Sequence, residues 1–327
     1  MNSLEKTTQL VTELLKKQKI TDYEFSLGKS SGVSTKVRLA EVETLQYHLD
    51  TSFDVNVYIG KKKGKASSAD LGKESLIRAI DSACLIAKYT QEDPFNGLAP
   101  KERLAWQVPE LDLYHFWDLD AKNSIDIAKE CEEIALQQPE IDNSDGAEIS
   151  SFEGESIYTN SNGLVARAKN TKHSLYCSLI AKREREMQTA YEYSVALDAG
   201  ELFPAKQVGM EAARLAQQKL GSQNLRPQKC PILFTPRQST GLFSQLLGAL
   251  SGSRQYKKTS FLLESQGHKV LPETISVFEN PLQVKTIGAR SFDQDGVKKR
   301  KQFFVEDGKV SSYIMGQYSA NQLGLES

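Results

Sequence analysis

The stretch of this chain that comes nearest to a known chemistry is Gly60-Lys61-Lys62-Lys63-Gly64-Lys65-Ala66-Ser67. A lysine-bearing glycine loop of this kind can cradle phosphates with its backbone N–H groups. The spacing fails, because three residues separate the glycines where four are needed, and Ala66 stands where a magnesium-binding hydroxyl belongs. The run also lies between two expected strands, so no helix N-terminus points at a phosphate. A basic hairpin tip kept soluble by its lysines is the better reading.

Other chemistry-bearing residues are equally incomplete. Asp293-Gln294-Asp295-Gly296 opens like a calcium loop, yet Gln302 sits where the closing glutamate belongs, so a turn is expected. Glu41 and Glu43 are two apart and share one side of a strand, as solvated strand faces often do. His48, His115, His173 and His268 are scattered, and none has a second ligand at helical spacing that would hold a metal. The nucleophile elbow G-x-S-x-G is absent. Cys84, Cys131, Cys177 and Cys230 never form C-x-x-C, which fits neither a disulfide scaffold nor a zinc ribbon and leaves reduced thiols as the expectation.

Composition narrows the class. The 327 residues carry 41 Lys+Arg against 42 Asp+Glu, a formal net charge of −1, which argues against coating nucleic acid or a membrane surface. With 39% apolar and 25% charged residues the chain can bury several cores. No apolar run reaches the ~20 residues that span a bilayer, and the N-terminal stretch lacks the apolar core of a signal peptide. A cytoplasmic location is expected.

The elements that must position these residues follow from periodicity. Asn2 is a possible N-cap, and Leu4, Val11, Leu14 and Leu15 mark one face of a helix to about Gln18. Alternation then predicts antiparallel strands at Tyr23–Leu27, Val33–Leu39 and Phe53–Ile59, and helical spacing resumes from Lys73 to Tyr89. Pro94, Pro100 and Pro109 mark a linker or crossing segment between Gln91 and Asp118. A helix over 120–138, a hairpin turning at Asn160-Ser161-Asn162-Gly163 into Leu164–Ala168, strands at Ser174–Ala181 and Thr189–Ala196, and a helix from Pro204 to Gly221 form a second unit. In a third unit, Pro231–Phe234 reads as a strand and Thr240–Leu250 as a mostly buried helix. Phe303–Glu306 and Val310–Ile314 flank the hairpin dipeptide Asp307-Gly308. The expected class is α+β, with antiparallel sheets and packed helices, divided into an N-terminal α+β domain (1–100), a middle domain (118–222) and a C-terminal domain (229–327).

Several stretches, in this order and spacing, carry a resemblance to a known family. They are Ala40-Glu41-Val42-Glu43, Gly64–Leu71, Asn160–Gly163, Lys258-Thr259-Ser260-Phe261-Leu262, Phe292–Val297 and Tyr318–Leu325. Together they resemble the PmbA (TldE) branch of the TldD/PmbA family along essentially the whole chain. The resemblance implies a cytosolic metalloprotease assembled from TldD and TldE subunits, acting on peptides or unfolded proteins. In the TldD branch a helix carries H-E-x-x-x-H, whose histidines bind zinc while the glutamate activates water. Registered on Gly248, those positions fall here on Ser244, Gln245 and Ala249. A hydroxyl, an amide and a methyl make no zinc-hydrolase site.

The resemblance therefore implies no catalytic, cofactor-binding or metal residue in this chain, no cofactor of its own, and zinc in a TldD-like partner subunit. It also implies further strands beyond the closing Gly324-Leu325-Glu326-Ser327, so an incomplete C-terminal domain with an open sheet edge is expected. Three readings stay open: a metal-free partner of TldD, a stand-alone regulatory factor of the DNA gyrase modulator type that contacts protein rather than nucleic acid, and a remnant without function.

Overall fold

The chain runs through α1 (Ser3–Lys16), β1 (Asp22–Arg38), β2 (Glu41–Ile59), β3 (Lys62–Ser68) and α2 (Lys73–Tyr89). A crossing segment follows, and then α3 (Ala121–Leu136), β4 (Ile141–Asn160), β5 (Val165–Arg183), β6 (Glu186–Ala196) and α4 (Ala205–Lys219). The last part holds α5 (Pro236–Ala249), α6 (Gly252–Tyr256), β7 (Val277–Glu279), β8 (Gln302–Glu306), β9 (Lys309–Val310) and α7 (Gln317–Leu323). This computed structural model describes residues 3–326, so the expected cap at Asn2 lies outside the described residues.

One antiparallel sheet, ordered β3-β2-β1-β4-β5-β6, runs through both of the first two units. Odd-numbered residues of β1 point to a single layer of helices. Phe25 and Leu27 pack with Phe53, Val55, Val57 and the apolar stripes of α1 and α2. Val33 and Val37 pack with Cys131 of α3 and Val208 and Ala212 of α4. The α+β class with antiparallel sheets and packed helices holds, and α2 keeps its expected bounds.

The strands are longer than their sequence signals. Tyr23–Leu27 and Val33–Leu39 form one strand, whose register with β2 passes unbroken through Gly28-Lys29-Ser30-Ser31-Gly32. That run looks like a turn, but Gly32 answers to close packing. A Cβ there would stand 2.4 Å from the Phe152 ring and 2.4 Å from the Ser151 carbonyl oxygen. In the same way Leu164–Ala168 and Ser174–Ala181 belong to the single strand β5. At the β4–β5 turn Gly163 adopts positive φ and Asn162 does not, so one residue supplies what two were expected to share.

The third unit departs most from expectation. Pro231–Phe234 forms no strand, and Leu233 is 94% exposed. Helix α5 forms, but Ala249 is its single fully buried residue, because only its C-terminal turn reaches the small core of Leu250, Phe304, Val305, Val310 and Tyr313. The Asp307-Gly308 hairpin is present with positive φ at both residues, while its second strand is the short β9 rather than Val310–Ile314. No helix among the described residues is long and apolar enough to cross a membrane.

Candidate functional site

Thr235 takes the N-cap position of α5 without a side-chain capping bond, and Pro236 occupies the first turn, where a missing N–H costs nothing. Arg237 then anchors the helix to the edge of the large sheet. Its guanidinium lies 4.7 Å from the Tyr191 ring centroid and 4.9 Å from that of Tyr193, and donates to Glu192 Oε2 at 3.1 Å. Two exposed tyrosines spaced i, i+2 on an edge strand were the signal for this anchor. Beyond Arg237 the helix turns its middle outward, and Ser244 and Gln245 are exposed. Ala249 is fully buried, and its carbonyl accepts from Gln255 Nε2 at 2.9 Å and Ser260 Oγ at 2.6 Å.

Zinc, the metal implied by the resemblance, does not fit this set. Ser244 and Gln245 present a neutral hydroxyl and an amide to solvent, and the third position is a methyl group sealed in a core. Among the described residues no three His, Cys, Asp or Glu side chains converge as metal ligands.

The remaining candidates have structural duties. Gly64 sits in β3 where α2 crosses, and a Cβ would fall 1.9 Å from the Ala83 carbonyl oxygen, so it serves strand–helix contact rather than phosphate. Asp293 Oδ1 accepts the N–H of Asp295 and of Val297, both at 2.9 Å, closing the expected turn. Burial pushes the Asp293 carboxyl above its usual range. Glu43 pairs across the hairpin with Lys36 at 2.5 Å.

His173 is buried, with Nδ1 3.0 Å from Ser151 Oγ and Nε2 2.9 Å from the His115 carbonyl oxygen. His48 stands 3.0 Å from Ser34 Oγ, and His268 is exposed. His48 and His173 line the same groove of about 340 Å³. Cys131 and Cys177, far apart in sequence, lie in the same buried cluster. The neighbouring Cys131 thiol and burial hold the Cys177 thiol well above its usual range, so it stays protonated.

A larger cleft of about 720 Å³ opens where the start of β5 meets Val108–Tyr114 and Gly288–Gln294. Arg167, Lys169 and Arg290 line it together with Glu110, Glu155 and Asp293, so it offers both signs of charge. Lys169 Nζ sits 3.4 Å over the Tyr114 ring, and the Tyr114 hydroxyl donates to Glu153 at 2.6 Å. That bond, with a second from Ser31, holds the Glu153 carboxyl below its usual range. The cleft draws on all three parts of the chain, which is why periodicity could not locate it.

Comparison with known proteins places this architecture. The chain matches the PmbA/TldA metallopeptidase domain 1 over residues 23–87, the central domain over 114–220 and the C-terminal domain over 227–327. The chain belongs to the PmbA/TldD family. The metalloprotease PmbA of Escherichia coli O157:H7 is 34% identical over 305 residues, covering 93% of this chain and 68% of that protein. A PmbA homolog of Haemophilus influenzae is 35% identical over the same shares of both chains. This chain thus spans about two thirds of these curated PmbA relatives.

Among solved structures, a putative modulator of DNA gyrase from Bacteroides thetaiotaomicron superposes with TM-score 0.93 and 25% identity, over 100% of this chain and 75% of that one. TldE from Thermococcus kodakarensis shares the fold, with TM-score 0.75 and 20% identity, over 100% of this chain and 72% of that one.

Proposed function

We propose that this chain is the metal-free, PmbA/TldE-type subunit of a TldD/TldE metalloprotease that acts on peptides or unfolded proteins in the cytoplasm. The observation that carries the reading is the state of α5. In a family described as metallopeptidases, its outward turn presents Ser244 and Gln245 and its inner position is Ala249. Peptide hydrolysis needs an activated water and a polarised carbonyl, and these three side chains supply neither. The zinc and its general base then come from a TldD-like partner.

Co-expression with a TldD homologue tests this. Co-purification of the two chains is expected, with chelator-sensitive peptide cleavage by the mixture and none by this chain alone. Chelator-sensitive cleavage by the isolated chain would reverse the assignment. A second reading, a stand-alone regulator of DNA gyrase, is favoured by the description of the Bacteroides structure as a putative modulator of that enzyme. Binding to gyrase in the absence of any TldD homologue would support it.

A further inference from the structure

The crossing segment passes over the helix side of the large sheet and leaves beneath it the groove of about 340 Å³ that His48 and His173 share. Two neighbouring rows of side chains, set side by side by the strand register, make its floor. Tyr47, Val33, Ser151 and His173 form one row across β2, β1, β4 and β5, and Leu49, Ser31 and Glu153 lie in the next. Phe116, Trp117 and Asp118 of the crossing segment wall it. Glu41–Asp50 of β2 pairs with β1 on one side and, among the described residues, with no strand on the other. The groove is open at that edge, and Trp117, packed on His173 of β5, closes the inner end.

Charge and aromatic walls together select a ligand. The larger cleft mixes both signs, whereas no Lys or Arg lines this groove, and Glu153 and Asp118 supply its charge. Glu153 Oε1 accepts from Ser31 Oγ at 2.9 Å and Oε2 from the Tyr114 hydroxyl at 2.6 Å, so both oxygens are fixed and each keeps a lone pair. Lys169, stacked on Tyr114, and Lys29 reinforce its ionised state without lining the groove. The Asp118 carboxylate makes no hydrogen bond or ion pair among the described residues. The Trp117 ring lies 5.5 Å from that of His173 at 86°, and His173 is itself fixed between Ser151 Oγ and the His115 carbonyl, so the indole is held in place. Tyr47 and Phe116 are 71% and 62% exposed at the mouth. Aromatic rings beside carboxylates in a concave site attract cations.

We infer that this groove binds an alkylguanidinium, the chemistry of an arginine side chain, with the cation among the rings of Tyr47, Phe116 and Trp117 and its N–H groups donating to Glu153. The planar fork of a guanidinium matches a carboxylate whose two oxygens are both fixed and both able to accept once more. It is also more weakly hydrated than an ammonium and stacks on rings, so it loses less on entering an aromatic groove. The alkyl arm runs back over Val33 and Leu49 to the open β2 edge. At the small end of the ~300–1,000 Å³ usual for ligand sites, the groove suits one side chain and not a folded domain. A free small molecule and an arginine within a peptide carry the same group, and the experiment below tells them apart. The inference does not rest on the metal-free reading of α5, and the site lies wholly in this chain.

Calorimetry and tryptophan fluorescence on the purified full chain test it, without any partner protein. The chain has two tryptophans, so Trp106→Phe leaves Trp117 as the single reporter. Butylguanidinium should bind saturably and shift the Trp117 emission, and N-acetyl-leucine amide should do neither. Tetramethylammonium, which cannot donate a hydrogen bond, should bind about tenfold more weakly. Glu153→Gln removes the charge and should weaken butylguanidinium by about tenfold. Asp118→Asn and Tyr47→Ala, at exposed positions that folding does not depend on, should each weaken it by about two- to fivefold. Free arginine, N-acetyl-arginine amide and an unstructured peptide with one arginine separate the sources: tightest binding of the peptide assigns the groove to a chain ligand, and tightest binding of free arginine to a small molecule. The inference is overturned if butylguanidinium does not bind, if it binds without changing Trp117 emission, or if N-acetyl-leucine amide binds as well. It is equally overturned if Glu153→Gln, Asp118→Asn and Tyr47→Ala all leave the affinity unchanged.

Discussion

Glu132 of α3 holds the turn at Ala40: its carboxylate, fully buried, accepts the Ala40 N–H at 2.9 Å and the adjacent Leu39 N–H at 2.9 Å. Both turn residues have positive φ, 52° at Leu39 and 63° at Ala40, a conformation that disfavours side chains. A side chain from the helix layer thus stabilises the turn that begins the open edge of β2. Glu132→Ala would leave these donors without their acceptor and should lower unfolding free energy by about 3 kcal/mol. Ala40→Gly removes the steric penalty and should stabilise by up to about 1 kcal/mol. Urea titration of the two variants reads both signs, and a neutral Glu132→Ala would show that the turn holds itself.

Docking of the third unit can be read at Tyr158. Its hydroxyl donates to Glu24 Oε2 at 2.8 Å and lies 3.1 Å from the Asp295 carbonyl oxygen. Burial, and then the Glu24 charge, keeps the Tyr158 phenol protonated far above its usual range. Tyr158→Phe should cost about 1–3 kcal/mol through the weakened support of a buried carboxylate. It should also speed proteolysis near Asp293–Val297 relative to sites in α2.

Acid should loosen the same docking from another side. Asp198 receives Lys285 at 3.0 Å, and that bond, with the Gly200 N–H, holds its carboxyl below the usual 3.8. A lowered carboxyl contributes stability that is present above its unfolded value and lost as pH falls through its folded one. Cutting near Lys285 should therefore accelerate as pH drops below about 4. Asp198→Asn should cut faster at neutral pH and flatten the acid response; an unchanged profile would remove Asp198 from the contact.

Gly64→Ala should destabilise the protein by about 3 kcal/mol or more, because the new methyl meets the α2 backbone rather than a movable side chain. Lys65→Ala should be within about 0.5 kcal/mol of the parent. Neither substitution should change nucleotide affinity, which is expected to be negligible throughout. Calorimetry with a nucleoside triphosphate and magnesium checks this, and tight binding lost in Lys65→Ala would restore the phosphate reading.

Elemental analysis of protein purified without chelator should find no stoichiometric zinc. Ser244→His with Gln245→Glu and Ala249→His should not create a site, since an imidazole at Ala249 must enter a sealed core. Loss of stability without metal uptake is the expected result. One tightly held zinc in the parent chain would contradict the reading of α5.

What the sequence determined by itself is local. Helical spacing set the bounds of α2, α3 starts directly after Asp120 where its apolar spacing begins, and Asp307-Gly308 made its hairpin, because these depend on residues a few positions apart. The α5 positions Ser244, Gln245 and Ala249 were equally legible, since donor chemistry belongs to residue type. Tertiary structure decided the rest. Gly28–Gly32 looks like a turn until Phe152 of another strand packs over it, and Leu242 looks buried until the short reach of the small core leaves α5 in solvent. The Cys131–Cys177 contact, the cleft beside Tyr114 and the open edge of β2 have no local signature. Each is set by which strand ends where in a register of long strands, and that register is chosen by packing across the whole sheet.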